Sequence, residues 1–554
     1  MRQPKLILSL LGMLCSILLI SCGAASTKNQ HELVASAEEM PKKTIELIHD
    51  HLGQPDSSLK LSQAATVQFL YKEKDAAIWS DKETWKPMAD NFFTQLEKCR
   101  LLGLFPEDYH FLQLKTARDK ISADTTARSD RKDPELWAKA DIFLTDAFVQ
   151  FIHDVKLGRL PNDSITLNKD SVVTNEDYLA ALQSCSNPDS LNAFLIAIQP
   201  TEKNYWQLKN GISRFLDSAS FKDYTHVPSP SKDSMGYRRA LQKRLYEENY
   251  LSQDSVLMDS ASISVAVKKF QKDRNITVDG RVGEGTLRML NLSDKDKFIR
   301  IAISLDKYKK LPHTMPEKYI WVNVSGNMMD VVEKGKTQFN SKVITGKPLT
   351  RTPMLTSAIS QLITYPQWVP PPSIITKEIL PAVKKNPGYI TKKGFSLLDS
   401  KGNEVDPYSV DWSKYNKTIP YKVVQGSGDA NALGVMKFFF DNKYSVYLHD
   451  TNQRYLFASS MRSMSHGCVR VQEWRTLLHY ILENDSLHSS GTYTKMDSVQ
   501  TWLKNKERRQ LALKARMPVF IRYFTCAGSD AGIVFFDDVY GDDKMLREKY
   551  FAGK

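Results

Sequence analysis

Cysteine is scarce in this chain, with six among 554 residues. That is too few for a disulfide scaffold. Long hydrophobic runs are scarcer still. LILSLLGMLCSILLI, residues 6–20, is the single strongly apolar run, and at 15 residues it is short. A membrane-spanning helix needs about 20, so a multi-span membrane protein is excluded. No block of five or six like charges occurs. Neither Gly-x-x-x-x-Gly-Lys-Ser/Thr nor Gly-x-Gly-x-x-Gly is present, which removes the commonest nucleotide-binding loops. What remains is a globular balance, 42% hydrophobic, 25% charged and 10% aromatic, incompatible with a collagen-like or wholly disordered chain. The length suits about three or four domains. Net charge is +13, which favours anionic partners: nucleic acid, a membrane face or an acidic polymer such as a cell wall. The lysines are scattered, however, so a solvated basic surface is the better explanation of the charge taken alone.

The start of the chain reads as an address. Arg2 and Lys5 precede the apolar run, and Ser21-Cys22-Gly23 follow it. That order describes a secretory signal over residues 1–21. Leu19-Ile20-Ser21-Cys22 also resembles the lipobox of bacterial lipoproteins. The resemblance implies that Cys22 is acylated and becomes the first residue of the mature chain, held stably by several acyl chains. An ordinary signal peptide or a short anchor is the alternative. The later domains are then expected in the cell envelope, periplasmic and lipid-anchored to a membrane.

Residues 22–60 are polar and read as a tether with room for one helix. From 61 to 235 apolar residues recur at helical spacing, as in AATVQFLYKEKDAAIW (64–79), WKPMADNFFTQLEKCRLLGL (85–104) and LWAKADIFLTDAFVQFIHDVKLGRL (136–160). Gly103 with Pro106, and Gly158 with Pro161, are helix stops. This part is expected to be a helical scaffold domain, without a reactive constellation. HVPSPSKD (226–233) reads as a linker. Residues 236–292 predict three short helices, with an Asp279-Gly280 turn before the third. From about 318 the period shifts toward two, predicting a mainly β region within 293–554. Residues about 365–430 interrupt that pattern. They are Pro-rich at the start and close on Gly426-Ser427-Gly428. Such a long excursion reads as a movable cap, with Gly426 and Gly428 as hinge and Trp368 and Tyr389 offering apolar surface to a ligand. The chain is therefore expected to be α+β and multidomain.

The chemistry lies in Tyr447-Leu448-His449-Asp450 and Ser465-His466-Gly467-Cys468-Val469-Arg470, with fifteen residues between His449 and Ser465. A free thiol ionises near about 8.5 and needs a basic neighbour to act at neutral pH. His449 ends an alternating strand. Gly467 lets the backbone approach a substrate, and backbone N–H groups in such a turn can form an oxyanion hole. A cysteine, a histidine and oxyanion donors together make an acyl-transfer site. Zinc held by His449, His466 and Cys468 competes, but lacks a clear fourth ligand and a usual spacing. A papain-like endopeptidase also competes. Its histidine follows the cysteine, and here the downstream His479 and His488 sit in a helical stretch. Cys526 reads as a small buried residue.

The pattern resembles the signature of the L,D-transpeptidase catalytic domain: histidine, about fifteen residues, then Ser-His-Gly-Cys, a hydrophobic residue and Asn or Arg. Gly346-Lys347, Thr352-Pro353, Tyr365-Pro366-Gln367-Trp368-Val369-Pro370 and Gly388-Tyr389 match the family's run before its cap. Arg470 stands where shorter members carry asparagine. Residues 236–292 look like the small three-helix peptidoglycan-binding module of wall enzymes, through Ala266–Gln271, Val278-Asp279-Gly280, Val282-Gly283 and Thr286-Leu287. The whole resembles the long members of the family, which join a helical scaffold, one such module and a mainly β catalytic domain with an inserted capping subdomain.

That resemblance implies roles. Cys468 is the nucleophile and His449 the base. The backbone of His466, Gly467 and Cys468 stabilises the oxyanion, with Ser465 in the same motif. Asp450 stands where a backbone carbonyl holds the base, and Tyr447 and Arg470 line the pocket. The implied reaction releases D-Ala from a stem tetrapeptide, forms a thioester on Cys468, and passes the acyl group to an amine of a second stem as a 3→3 cross-link. Water as acceptor gives an L,D-carboxypeptidase, and a protein amine gives attachment of protein to the wall. A non-catalytic peptidoglycan-binding lipoprotein is the remaining alternative. Expected partners are peptidoglycan stems and glycan, a membrane through the lipid anchor, and wall-synthesis proteins through the scaffold. No nucleic acid, metal or organic cofactor is expected, and carbapenems are the implied inhibitors.

Overall fold

A computed structural model describes residues 36–53, 59–123, 132–162, 165, 172–230, 234–274, 276–487 and 496–554. The expected signal segment, Cys22 and His488 lie outside the described residues. The chain divides into two compact units. One is formed by residues up to Lys86 with Leu112–Asp146, the other by Pro87–Phe111 with Ala147–Lys554.

The first unit is helical. Within residues 22–60 the one helix for which the tether left room is present. A helix at Met40–Gly53 buries Met40, Thr44 and Ile48, with Met40 packed beside Ile121 and Trp137. The helix expected over 64–79 ends at Lys74, where Asp75 turns left-handed. Buried Asp141 explains the stop. Its carboxylate accepts from Ile78 N (2.9 Å) and Trp79 N (3.1 Å), amides that a continued helix would have bonded internally. Tyr71 OH and Ser80 Oγ donate to the same carboxylate at 2.7 Å each. Burial pushes the Asp141 carboxyl up, against these bonds, which pull it down.

The second unit holds the three remaining bodies. Helices at Ser234–Glu247, Ser260–Asp273 and Glu284–Leu290 pack around Phe270, Val267, Leu241 and Leu245. Gln271 is buried and pins the turn before the third helix. Its Nε2 donates to Asp279 Oδ1 (2.8 Å), and its Oε1 accepts from Gly280 N (2.8 Å). The start of the stretch expected as a linker is tied down, since Val227 exchanges two hydrogen bonds with the Asn291 side chain. Arg288 grips Asp537 through two bonds of 2.9 and 2.6 Å. The three-helix body is therefore fixed against the β region and not hung from it.

Strands follow from Lys318: β1 (Lys318–Asn323), β2 (Met328–Glu333), β3 (Lys336–Gly346), β4 (Leu355–Thr364), β5 (Phe395–Leu398), β6 (Lys422–Gln425), β7 (Met436–Phe440), β8 (Leu448–His449), β9 (Ser463–Ser465), β10 (Val469–Val471), β11 (Arg509–Arg522), β12 (Cys526–Ser529) and β13 (Gly532–Phe535). The main sheet runs β9-β3-β10-β8-β7-β4-β11-β1-β2, and β2 pairs back onto β3. The ring of pairings thus closes, leaving few free edges. Its interior is filled by alternate residues such as Val322, Val331, Ile359, Phe438, Leu448, Val469, Val471 and Val519. The opposite face carries Tyr319, Trp321 and Phe520, covered by the helix Asp294–Lys309. The helix Lys203–Ser218 packs on the β12–β13 hairpin, where Gly211 and Gly528 admit close backbone approach.

The excursion after β4 folds around a core of its own. Short helical turns between Pro372 and Lys392 and the β5–β6 pair enclose Ile379, Leu380, Val383, Leu397, Trp412 and Val423. It is a small subdomain and not a bare loop. Cys526 is buried and donates to Ser304 Oγ, 3.2 Å away.

Asp141→Ala strands several buried donors at once. We expect it to lower stability by about 3–5 kcal/mol, read by urea unfolding followed through tryptophan fluorescence. A loss under about 1 kcal/mol would show that water satisfies those donors.

Candidate active site

The site is built by strand register. β8 and β10 are parallel neighbours, with Leu448 opposite Val469 and His449 opposite Arg470. Leu448 and Val469 are fully buried in the core. Side chains alternate along strands, so Tyr447, His449, Cys468 and Arg470 share the other face. Tyr447 lies opposite Cys468, as its carbonyl bond from Val469 N (3.1 Å) indicates. Cys468 and His449 are therefore diagonal neighbours. β7 pairs on the other side of β8 and places Lys437 opposite His449.

The cysteine turn is held from all sides. Gly467 has φ +117°, a conformation that glycine alone adopts without strain, and a Cβ there would stand 3.3 Å from Arg351 O. Ser465 Oγ donates to Cys468 O (2.7 Å) and accepts from Gly467 N (3.2 Å). Thr352 Oγ1 donates to Gly467 O (2.8 Å), and Thr350 Oγ1 to Ser465 O (2.9 Å). Ser465 thus shapes the turn, and the Gly467 amide is engaged in the free protein. Cys468 stays partly accessible, its thiol 3.8 Å from Ser445 O and hydrogen-bonded to the Tyr447 side chain.

His449 is buried, and its Nδ1 donates to the backbone carbonyl of Asp450. A carbonyl only accepts, so the neutral ring keeps its lone pair on Nε2. The Asp450 side chain has a separate task. It accepts from Arg454 Nη2 (2.6 Å) and Val435 N (3.1 Å), bracing the end of β8. Burial first, and the Arg470 charge second, pull the His449 imidazole down to about 3. Burial pushes the Cys468 thiol up, partly offset by Tyr447, Lys437 and Arg470. The resting pair is a neutral thiol beside a neutral imidazole. Such a pair can perform acyl transfer when substrate arrives, with the proton moving from sulfur to ring.

The cap reaches this face. Trp368 hydrogen-bonds to the Tyr447 side chain, and Glu378 pairs with His466 Nε2. His466 thus turns to the cap, and the zinc trio does not assemble. Among the described residues no group of three His, Cys, Asp or Glu could hold a metal. Tyr389 packs within the cap's own core. Arg470 Nη1 donates to Gln453 Oε1 (2.9 Å). Sequence reasoning missed Lys437 and Glu378. The alternation Met436-Lys437-Phe438, with both flanking residues in the core, was the signal for Lys437; Glu378 had none.

His449 predicts a pH dependence. Its unfolded value is about 6.5, and its folded value is lowered to about 3. Between these the unfolded chain binds the extra proton, so stability is full above about 6.5 and falls as pH drops toward 3. His449→Gln should flatten the slope of unfolding free energy in that window. Equal slopes in both proteins would contradict a buried neutral imidazole.

Residues 317–492 match the family model of the L,D-transpeptidase catalytic domain, residues 65–211 a scaffold domain and residues 235–290 a "Putative peptidoglycan binding domain". A curated Haemophilus influenzae protein named "Putative L,D-transpeptidase" is 35% identical over 227 residues, 41% of this chain. The match spans 45% of that relative's length. An L,D-transpeptidase structure from Stackebrandtia nassauensis shares 18% identity over 54% of this chain and 97% of its own, with a TM-score of 0.18. One from Mycobacterium smegmatis shares 12% over 38% and 61%, also at 0.18. Along this chain, then, lie matches to the family models of an L,D-transpeptidase catalytic domain, a scaffold domain and a peptidoglycan-binding domain.

Proposed function

We propose that the protein is a peptidoglycan L,D-transpeptidase working through Cys468. The observation that carries this reading is the β8–β10 register, which sets the Cys468 thiol diagonal to the neutral imidazole of His449. In the proposed cycle His449 Nε2 takes the thiol proton as sulfur attacks the carbonyl carbon of the third residue of a stem tetrapeptide. The amides around His466–Cys468 receive the oxyanion. Gly467 N–H joins them only by leaving Ser465 Oγ. The C–N bond to D-Ala then breaks, and the proton passes from His449 to the departing amine. A thioester remains on Cys468. An amine of a second stem attacks it, the C–S bond breaks, and the proton of that amine returns to sulfur through His449. The product is a 3→3 cross-link.

The cap supports an amine acceptor over water. Trp368 and Glu378 reach Tyr447 and His466 from the cap, and a covered thioester is shielded from hydrolysis. Binding of glycan by the three-helix body fits its fixed position. Attachment to a membrane through Cys22 and work in the cell envelope belong to the same reading, supported by the lipobox-like Leu19-Ile20-Ser21-Cys22.

Incubating the full chain in detergent with disaccharide-tetrapeptide should give cross-linked dimer by mass spectrometry. Cys468→Ala should abolish it while the protein stays folded, and His449→Ala should slow acylation about 10²–10⁴-fold. Cross-linking retained by folded Cys468→Ala would overturn the mechanism. Tripeptide without dimer would make water the acceptor.

By the family resemblance a carbapenem should acylate Cys468. Hydrogen exchange should then slow within 365–430 and in the Cys468 turn if the subdomain closes as a cap. Equal exchange with and without the adduct would make it a rigid decoration.

A further inference from the structure

Lys437 is a half-buried cation with no carboxylate partner among the described residues. It lies on β7 directly opposite His449, in a row that runs Arg470, His449, Lys437 across three adjacent strands. Its Nζ stands 3.7 Å from the centroid of the Tyr447 ring and 5.6 Å from that of Phe439. Among the described residues no carboxylate pairs with it, and its resolved charge interactions are with the Cys468 sulfur and the His449 ring. Arg470, on the far side of His449, is already tied to Gln453. An ammonium removed from water without a counter-charge is costly. Such a group is retained where a ligand supplies the counter-charge.

The position restricts what that ligand can be. Tyr447 lies opposite Cys468, so the ammonium is one side chain away from the sulfur. In a peptide attacked at its last bond, the scissile carbonyl carbon and the terminal carboxylate are separated only by N and Cα. That is about one residue's length, ~3.8 Å between consecutive Cα atoms. A longer leaving group would put a neutral amide there, and its carboxylate would lie further on. We infer that Lys437 receives the terminal carboxylate of the donor peptide and so restricts the reaction to one-residue leaving groups. This rests on Cys468 acyl transfer as proposed above, and it makes Lys437 a specificity-determining residue. Tyr447, stacked beneath the ammonium, holds it in place by cation–π attraction.

The test uses the full chain in detergent and two donors, disaccharide-tetrapeptide with a free terminal carboxylate and the same compound with a terminal carboxamide. The wild type should favour the acid by about 10- to 100-fold in kcat/KM, the range of a charge-assisted hydrogen bond. Lys437→Met should abolish the preference for the acid over the carboxamide, mainly by raising KM for the acid. Lys437→Arg should recover most of the preference. Equal wild-type kcat/KM for acid and carboxamide overturns the inference without need of any variant. So does an equal loss on both donors in a folded Lys437→Met protein, which would mean that the ammonium acts on the thiol. If Cys468→Ala turns over the acid as well as wild type, the acyl-transfer reading falls, and this inference with it.

Discussion

The parallel pairing of β8 with β10 is the constraint on which this site depends. His449 and Cys468 are far enough apart in sequence that nothing local joins them. Two ladder pairs, Leu448 with Val469 and His449 with Arg470, do so. A slip by one residue would turn every side chain of one strand to the other face. The register is secured because Leu448 and Val469 fill the closed barrel from within. The same core that stabilises the domain therefore aims its chemistry.

Electrostatics follow from that placement. The wall that holds His449 also dries it, and Arg470 across the ladder further disfavours its charged form. The thiol is likewise kept protonated. Many cysteine enzymes store a thiolate–imidazolium pair; this site stores two neutral groups. A neutral thiol is a poor target for adventitious oxidation or alkylation. In the proposed reaction, activation waits for a substrate whose developing charge meets Lys437, Arg470 and the turn amides. The cap contributes by covering the face, with Trp368 on Tyr447 and Glu378 on His466.

Much of this was legible in the sequence, for identifiable reasons. The change from helical to alternating periodicity near 318 is a burial pattern, and burial governs fold class. Gly467 marked a place of close backbone approach beside Cys468, and there the chain takes a positive φ. The three short helices and the Asp279-Gly280 turn were visible because turn chemistry is local. What escaped was long-range. Asp141 ends the upstream helix by taking the Ile78 and Trp79 amides, 63 and 62 residues away, and spacing within 64–79 carries no trace of that. Glu378 meets His466 across 88 residues of chain. The pairing of β10 with β3, that of β11 with β1, and the docking of Lys203–Ser218 on the β12–β13 hairpin depend on tertiary packing alone.

The central claim is that Cys468 carries the acyl group. The most direct test is to quench the full chain in acid during turnover of disaccharide-tetrapeptide and map the adduct by peptide mass spectrometry. The account predicts a disaccharide-tripeptide mass on the peptide containing Cys468, labile to hydroxylamine as a thioester is. An adduct on any other residue, or turnover with no adduct under rapid quench, would contradict it.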